Sequence, residues 1–336
     1  MRVAVDAMGG DHGPSVVVNG AIAAARHPDV GVTLVGDADS LRAELARHPD
    51  APTLDILVEH AADAVAMGER PAAALRRKPH SSIRVAAELV ARGAADALFS
   101  AGNTGATVLA ACTGFGVLKG AERPALAATV PTMKGTAVLL DIGANADCRP
   151  THLVAFAGMG TVFARVGLGV ADPVVGVLSI GEEETKGNEL TREAARLLRQ
   201  APLRFAGNVE ARSLFAGTAD VLVCDGFTGN VVIKVSEGIV GMVELMLGEE
   251  FAAMAGDEAR AAVGAFGRFR ARVDYSEYGG APLLGVGRPV VVGHGRSSPK
   301  AVCNAVLMAA RFARDGLVPR IEQALLESIS RPGYGG

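Results

Sequence analysis

The residues able to do chemistry in this chain stand where short β-branched runs stop. DAMGGD (6–11), SAGNTGA (100–106), DIGAN (141–145), SIGEEETKGNE (179–189), AGNVEAR (206–212), DGFTGN (225–230) and GHGRSS (293–298) each follow such a run, are rich in Gly and Asn, and are mostly uncharged. Glycine lets backbone N–H groups approach an anion, and a loop that opens a helix adds the favourable potential of the helix N-terminus. SAGNTGA precedes a helical pattern over 104–118, so Gly102, Asn103, Thr104 and Gly105 read as a phosphate cradle. Gly-Asn pairs also simply make turns, and for any one loop the turn is the better reading; several such loops converging at one sheet edge favour a site.

Charges near these loops narrow the chemistry. Lys186 stands among three carboxylates in GEEETKGN and reads equally as part of a solvated ion pair or as a cation for phosphate or a developing oxyanion. Arg76, Arg77, Lys78 and Arg84 surround Ser81 and Ser82 in RRKPHSSIR, either as a solvated basic face or as a receiver for an anionic substrate or an acidic protein. His12 and His294 are lone loop histidines, which more often serve neither as acid nor as ligand. Cys224 ends the apolar run VLVC and reads as a buried thiol rather than a nucleophile. Neither G-x-x-x-x-G-K-[ST] nor G-x-S-x-G occurs, which argues against a Walker NTPase and an α/β serine hydrolase. Gly158-Met-Gly160 lacks the third glycine of a dinucleotide loop and lies in a helical pattern, so it reads as helix packing.

The elements that position these groups alternate. RVAVD (2–6), VTLVG (32–36), DILVE (55–59), DALFS (96–100), TAVLLD (136–141), VVGVLSIG (174–181), ADVLVCDG (219–226) and PVVVGHG (289–295) read as strands with helical patterns between them. The fold class is therefore α/β, a three-layer α/β/α arrangement around a mostly parallel central sheet. Start signals agree, with Asp37 or Asp39 ahead of LRAELARH and Ser297 or Ser298 ahead of PKAVCNAVLMAARFARDG. No repeat or linker divides the chain, so residues 1–336 read as one large catalytic unit with a soft internal cleft. Residues 235–280 differ, forming two long strand-free helices that read as a protruding segment.

Composition excludes several classes. Thirty-three basic against 36 acidic residues give a net charge of −3, which does not suit a nucleic-acid binder, and 49% hydrophobic residues with a mean hydropathy of +0.29 supply an ample core. Four scattered cysteines and no paired histidines argue against disulfides and structural zinc. Asp6 interrupts what a secretory leader would need, which predicts a cytoplasmic chain.

Taken together, VDAMGGDHGP (5–14), RKPHSSI (77–83), SAGNTGA (100–106), RPALA (123–127), LDIGAN (140–145), GEEETKGNE (181–189), DGFTGNVVIK (225–234), YGGAPLLGV (278–286) and HGRS (294–297) resemble the phosphate acyltransferases of bacterial phospholipid synthesis nearly end to end. Ala211 and Ser179 depart from that pattern, standing where Gly and Asn are usual. The resemblance implies a fold similar to phosphotransacetylases and isocitrate-type dehydrogenases, and a homodimer without metal, nucleotide or other cofactor. It also implies transfer of a long-chain acyl group from acyl carrier protein to inorganic phosphate, for use by a membrane glycerol-3-phosphate acyltransferase. Carried residue by residue, it gives the phosphate cradle to Gly102, Asn103, Thr104 and Gly105, with Ser81 and Ser82 as second contacts. Lys186 then supplies the cation, Asn230 donates to the thioester oxygen or phosphate, and Asp225 orients its loop. Phosphate can attack a thioester unaided by a Ser or Cys nucleophile, which fits the missing nucleophile motif.

Two surfaces follow as expectations. Arg76, Arg77, Lys78 and Arg84 suit an acidic carrier protein. Residues 239–254 read as dimer interface or core, while Val263, Phe266 and Phe269 with Arg268 and Arg270 read as peripheral contact with an anionic membrane. Competing readings are a short-chain acyl-CoA phosphotransacylase, a nicotinamide-dependent dehydrogenase and a non-catalytic membrane scaffold for lipid enzymes.

Overall fold

The computed structural model describes residues 1–252, 254, 256–273 and 278–329. The first half runs β1 (Arg2–Asp6), α1 (Gly13–Ala25), β2 (Gly31–Gly36), α2 (Ala38–Leu45), β3 (Ile56–His60), α3 (Pro71–Arg77), α4 (Ser82–Ala91), β4 (Ala97–Ser100) and α5 (Thr104–Phe115). There follow β5 (Ala125–Thr132), β6 (Gly135–Leu140), α6 (Pro150–Leu168), β7 (Val174–Ser179), α7 (Glu189–Leu198), β8 (Arg204–Glu210), α8 (Ala211–Leu214) and β9 (Val221–Val223). The chain continues through α9 (Gly226–Ala252), α10 (Gly256–Val273), β10 (Ala281–Leu284), β11 (Val290–Val292), α11 (Pro299–Arg314) and α12 (Leu317–Ile329). Residues 253, 255 and 274–277 of the strand-free segment lie outside the described residues.

All the strands form one 11-stranded sheet in the order β3-β2-β1-β4-β11-β10-β5-β6-β9-β7-β8. Helices α1, α6, α11 and α12 bury one face with Phe99, Phe156, Phe163 and Phe312 at the centre. Helices α4 and α5 cover the other face of the first block, and the start of α9 covers that of the second. The layers are those expected. Asp37 accepts the Ser40 N–H at 3.0 Å and Ser298 the Ala301 N–H at 3.2 Å, so both caps stand where the sequence puts one of them. Gly160 sits in α6, where a methyl group would lie 2.6 Å from Cγ1 of Val221, so the glycine serves helix-on-sheet packing. Among the described residues α6 is the one helix long and apolar enough to cross a bilayer, and it is mostly buried in the core.

Two features differ from the sequence reading. First, β5, β8 and β10 are strands that the pattern hides: AGNVEAR is not a strand-end loop but the end of β8 and the start of α8, and DGFTGN is the first turn of α9. Second, the loops do not all share one sheet edge. Strands β1, β2, β3, β4 and β11 are mutually parallel, as are β6, β7, β8 and β9. Between them β10 and β5 run antiparallel to each neighbour, so the two parallel blocks point in opposite directions. What brings their loops close is the short pairing where the blocks join: β10 has four residues and β11 three, roughly 10–14 Å from edge to edge at about 3.3 Å per residue, and β10 meets β5 only at Leu126 and Ala125. Helix α9 spans that gap.

Candidate active site

On the first block, the loops after β1 and β4 interlock through glycine. A methyl group on Gly9 would lie 2.6 Å from the backbone nitrogen of Gly102, so bare backbone is required there. Beneath them Asp6 is buried, accepts the Ser100 hydroxyl at 2.7 Å, and is reached by the Ser82 hydroxyl. Burial pushes the Asp6 carboxyl up, against the pull of these donors. Ser100 Oγ in turn accepts the Gly102 N–H at 3.1 Å. Ser82 therefore supports the loop from below, and Ser81, fully buried, has no hydrogen-bond partner for its hydroxyl.

Asn103 caps α5 and is wholly consumed in doing so. Its Oδ1 accepts the Ala106 N–H at 3.0 Å, while its amide donates to the carbonyls of Ala66, Met67 and Glu69 at 2.9–3.2 Å. The side chain thus fixes the turn, and the N–H groups of Thr104 and Gly105, its more exposed residues, stand at the N-terminus of α5.

On the second block, Asp141 organises the site. Fully buried, it accepts the N–H of Leu126, Gly143 and Ala144 through Oδ1, at 3.0–3.1 Å. Its Oδ2 takes the N–H and the side-chain amide of Asn145 at 2.6 and 2.9 Å. The Asn145 carbonyl then accepts the Gly226 N–H at 2.7 Å, which ties this loop to the start of α9. Asp225 caps α9, accepting the Thr228 N–H and hydroxyl at 2.8 Å each. Gly229 allows the contact, because any side chain there would collide with the Asp141 carbonyl oxygen. Asn230 is left exposed, with Oδ1 beside Gly143.

Lys186 is exposed, and among the described residues its ammonium forms no ion pair. Its loop is pinned by Asn208, whose amide donates to the Glu183 carbonyl at 2.8 Å. Sequence reasoning did not single out Asp6 and Asp141, whose signal was a carboxylate at the end of an apolar run, or Asn208, which lies inside β8 beside Gly207. Cys224 is buried and its thiol is pushed well up by burial, in keeping with a core residue. Of the basic cluster, Lys78 and Arg77 pair with Glu69 at 2.6 and 3.4 Å and Arg84 with Glu88 at 3.4 Å, while Arg76 is exposed. Among the described residues no group of three or more His, Cys, Asp or Glu could hold a metal ion.

The two blocks meet along α9. Asn230 and Lys234 are four residues apart and share a face. Lys234 Nζ lies 3.0 Å from His294 Nε2, in the loop after β11. That loop reaches back to the first block, where Gly295 accepts the Asp11 N–H at 2.8 Å. Along α9 the two blocks thus bring together the amide of Asn230, the ammonium of Lys234 and the imidazole of His294.

A family model described as "Fatty acid synthesis protein" matches residues 1–320. The chain is 49% identical to a phosphate acyltransferase of Pelobacter propionicus over 98% of this chain and 95% of that protein. It is 47% identical to one of Pelotomaculum thermopropionicum over 100% and 98%. Among solved structures, a phosphotransacetylase from Streptococcus pyogenes aligns over 94% of both chains with a TM-score of 0.63 at 18% identity. A branched-chain phosphotransacylase from Enterococcus faecalis aligns over 93% of this chain and 99% of its own, with a TM-score of 0.56 at 17% identity. At such identities these two establish the fold alone.

Proposed function

Because the chain belongs to the phosphate acyltransferase family, we propose that it transfers a long-chain fatty acyl group from acyl carrier protein to inorganic phosphate, making an acyl phosphate for phospholipid synthesis. The near full-length identity to phosphate acyltransferases carries this reading. Three features support it: the Thr104 and Gly105 N–H groups at the start of α5 offer an anion site, exposed Asn230 offers an amide for the thioester oxygen, and exposed Lys186 is a cation available to either. Phosphate is itself the nucleophile, so the protein's work is binding, orientation and charge stabilisation. Arg76 with its neighbours Arg77, Lys78 and Arg84 is the docking face for the acidic carrier. The assay is direct: purified protein, long-chain acyl carrier protein and labelled phosphate should yield a hydroxylamine-sensitive acyl phosphate. Equal use of a short-chain coenzyme A thioester would favour a phosphotransacylase of the other kind, and no product at all would favour the scaffold reading.

The strand-free helices support two further assignments. Exposed Val231, Val235, Ile239, Met242 and Met246 recur at spacings of three and four along α9, a stripe suited to a second copy of the chain in a homodimer. Helix α10 folds back on α9, with Phe266 edge-on to Phe251 at 5.6 Å, Phe269 stacked on Phe266 at 6.3 Å, and Arg270 paired with Glu244 at 3.2 Å. Phe266 and Phe269 thus serve the hairpin, and Val263, at 59% exposure, is the outward apolar residue, with Arg268 and Arg272 exposed on the same helix. This hairpin would hold the otherwise cytoplasmic enzyme at an anionic membrane, where a glycerol-3-phosphate acyltransferase could take up the apolar product. Val263→Asp should then lower co-sedimentation with anionic vesicles and leave the hairpin folded, whereas Phe266→Asp should disturb both. Undiminished vesicle binding by Val263→Asp would remove α10 from the membrane contact.

A further inference from the structure

Lys78 stands in sequence among the basic residues of the docking face, but its contacts set it apart. Its side chain is 29% exposed against 69% for Arg77, and its ammonium is spent on the Ala64 carbonyl at 2.7 Å and the Glu69 carboxylate at 2.6 Å. The same Glu69 oxygen accepts the Ala66 N–H at 2.9 Å, which closes a ring of contacts around residues 64–69. That segment is held a second time by the Asn103 amide, which donates to the carbonyls of Ala66, Met67 and Glu69.

These carbonyls decide which way the Asn103 amide faces. With its NH2 turned to them, Oδ1 is left to accept the Ala106 N–H at the start of α5; a reversed amide would set an oxygen against three carbonyl oxygens and lose the cap. The cap in turn keeps the first turn of α5, with the N–H groups of Thr104 and Gly105, in place. Pro71, which begins α3, packs on the same turn, since a methyl group on Gly105 would lie 2.6 Å from its Cγ. Lys78 therefore reaches α5 through two intermediaries, segment 64–69 and Asn103.

We propose that Lys78 and Glu69 are positioning residues for the anion site at the N-terminus of α5, acting through segment 64–69 and Asn103. Lys78 is then a strut and not a docking residue, and the carrier protein is left to the exposed arginines. The proposal rests on the reading of that turn as the phosphate site and names the pair that holds it in shape. Charge supports a standing pair: the hydrogen bond from Lys78, with that from the Ala66 N–H, holds the Glu69 carboxyl below the ordinary glutamate range, so it stays ionised at neutral pH.

The test uses two opposite changes of charge. Lys78→Met removes a positive charge and Glu69→Gln a negative one, so a docking role would move KM for the acidic carrier protein in opposite directions in the two variants. A strut predicts the same direction in both: KM for phosphate should rise about tenfold, with a smaller change in kcat at saturating phosphate. The double variant should be no worse than either single one, because each alone already releases the segment. Lys78→Arg, which keeps a charged donor at the position, should lie nearer to wild type than Lys78→Met. Phosphate should also raise the melting temperature of wild type, and raise it much less in Lys78→Met and Glu69→Gln, a readout that needs no acyl donor. Opposite shifts in KM for the carrier protein, with an unchanged KM and thermal response for phosphate, would make Lys78 a docking residue and overturn the proposal. Melting temperatures that collapse in both single variants would overturn it by making the pair an element of the fold. A wild type whose melting temperature ignores phosphate would remove the anion site and the strut with it. A wild type that responds to phosphate but forms no acyl phosphate would overturn the proposed reaction alone, with the thermal response still deciding the strut.

Discussion

Lys186→Ala is expected to cut phosphate-dependent turnover by an order of magnitude or more while the melting temperature stays where it was. The two halves of that result have separate causes. Lys186 is exposed, and among the described residues its ammonium forms no ion pair, so removing it leaves no partner stranded. Its loop is held instead by the Asn208 amide on the Glu183 carbonyl, at 2.8 Å, and by the Lys186 N–H on the same carbonyl at 3.0 Å. The activity loss follows from charge. A hydrogen bond to a charged group is worth about 1.5–3 kcal/mol, which converts to roughly 10- to 150-fold in rate if it is made in the transition state. Steady-state kinetics beside a thermal melt checks both halves. Wild-type turnover in Lys186→Ala would take the residue out of the cleft, and a collapsed melting temperature would make it structural.

The strands that could be read from sequence are those with an unbroken β-branched run. RVAVD, VTLVG and VVGVLS are buried on both faces in parallel pairings, and continuous apolarity is what that environment selects. The three hidden strands lack it for specific reasons. β8 carries Gly207, with a φ of 98°, next to Asn208, so it resembles a turn. β10 is four residues with Pro282 inside and glycines on both sides. β5 is Ala-rich and ends near Pro131. Missing β5 and β10 hid the reversal of direction between the blocks, because those two strands make it. The same limit applied to the site. Motifs marked the Gly- and Asn-rich loops, but not that the Asn103 side chain is spent on capping, nor that Lys234 and His294, 60 residues apart in sequence, face each other. Such pairings depend on where α9 lies, and no local pattern encodes that.

Asp141→Ala should be the most destabilising change at the site. The carboxylate accepts five N–H donors from Leu126, Gly143, Ala144 and Asn145 in a place closed to water. Alanine would strand them, and breaking such a buried charged network costs about 3–5 kcal/mol. Part of that is offset, because burial pushes the Asp141 carboxyl above the ordinary aspartate range and holding the ion is itself unfavourable. That offset has a definite pH sign. A carboxyl whose folded pKa is raised costs stability above that pKa, and the cost fades as pH falls from the raised value toward the ordinary one. The gap in melting temperature between wild type and Asp141→Ala should therefore widen as pH is lowered through that window, and activity should vanish with the loop, since Asn145 then no longer holds Gly226 and the start of α9. Asp141→Asn separates packing from charge: it fills the space but turns an amide donor toward backbone N–H groups, so it should lie close to alanine rather than to wild type. Thermal melts of the three proteins across mildly acidic pH decide it. An asparagine variant as stable as wild type would mean that the shape of residue 141, and not its acceptor capacity, builds the loop.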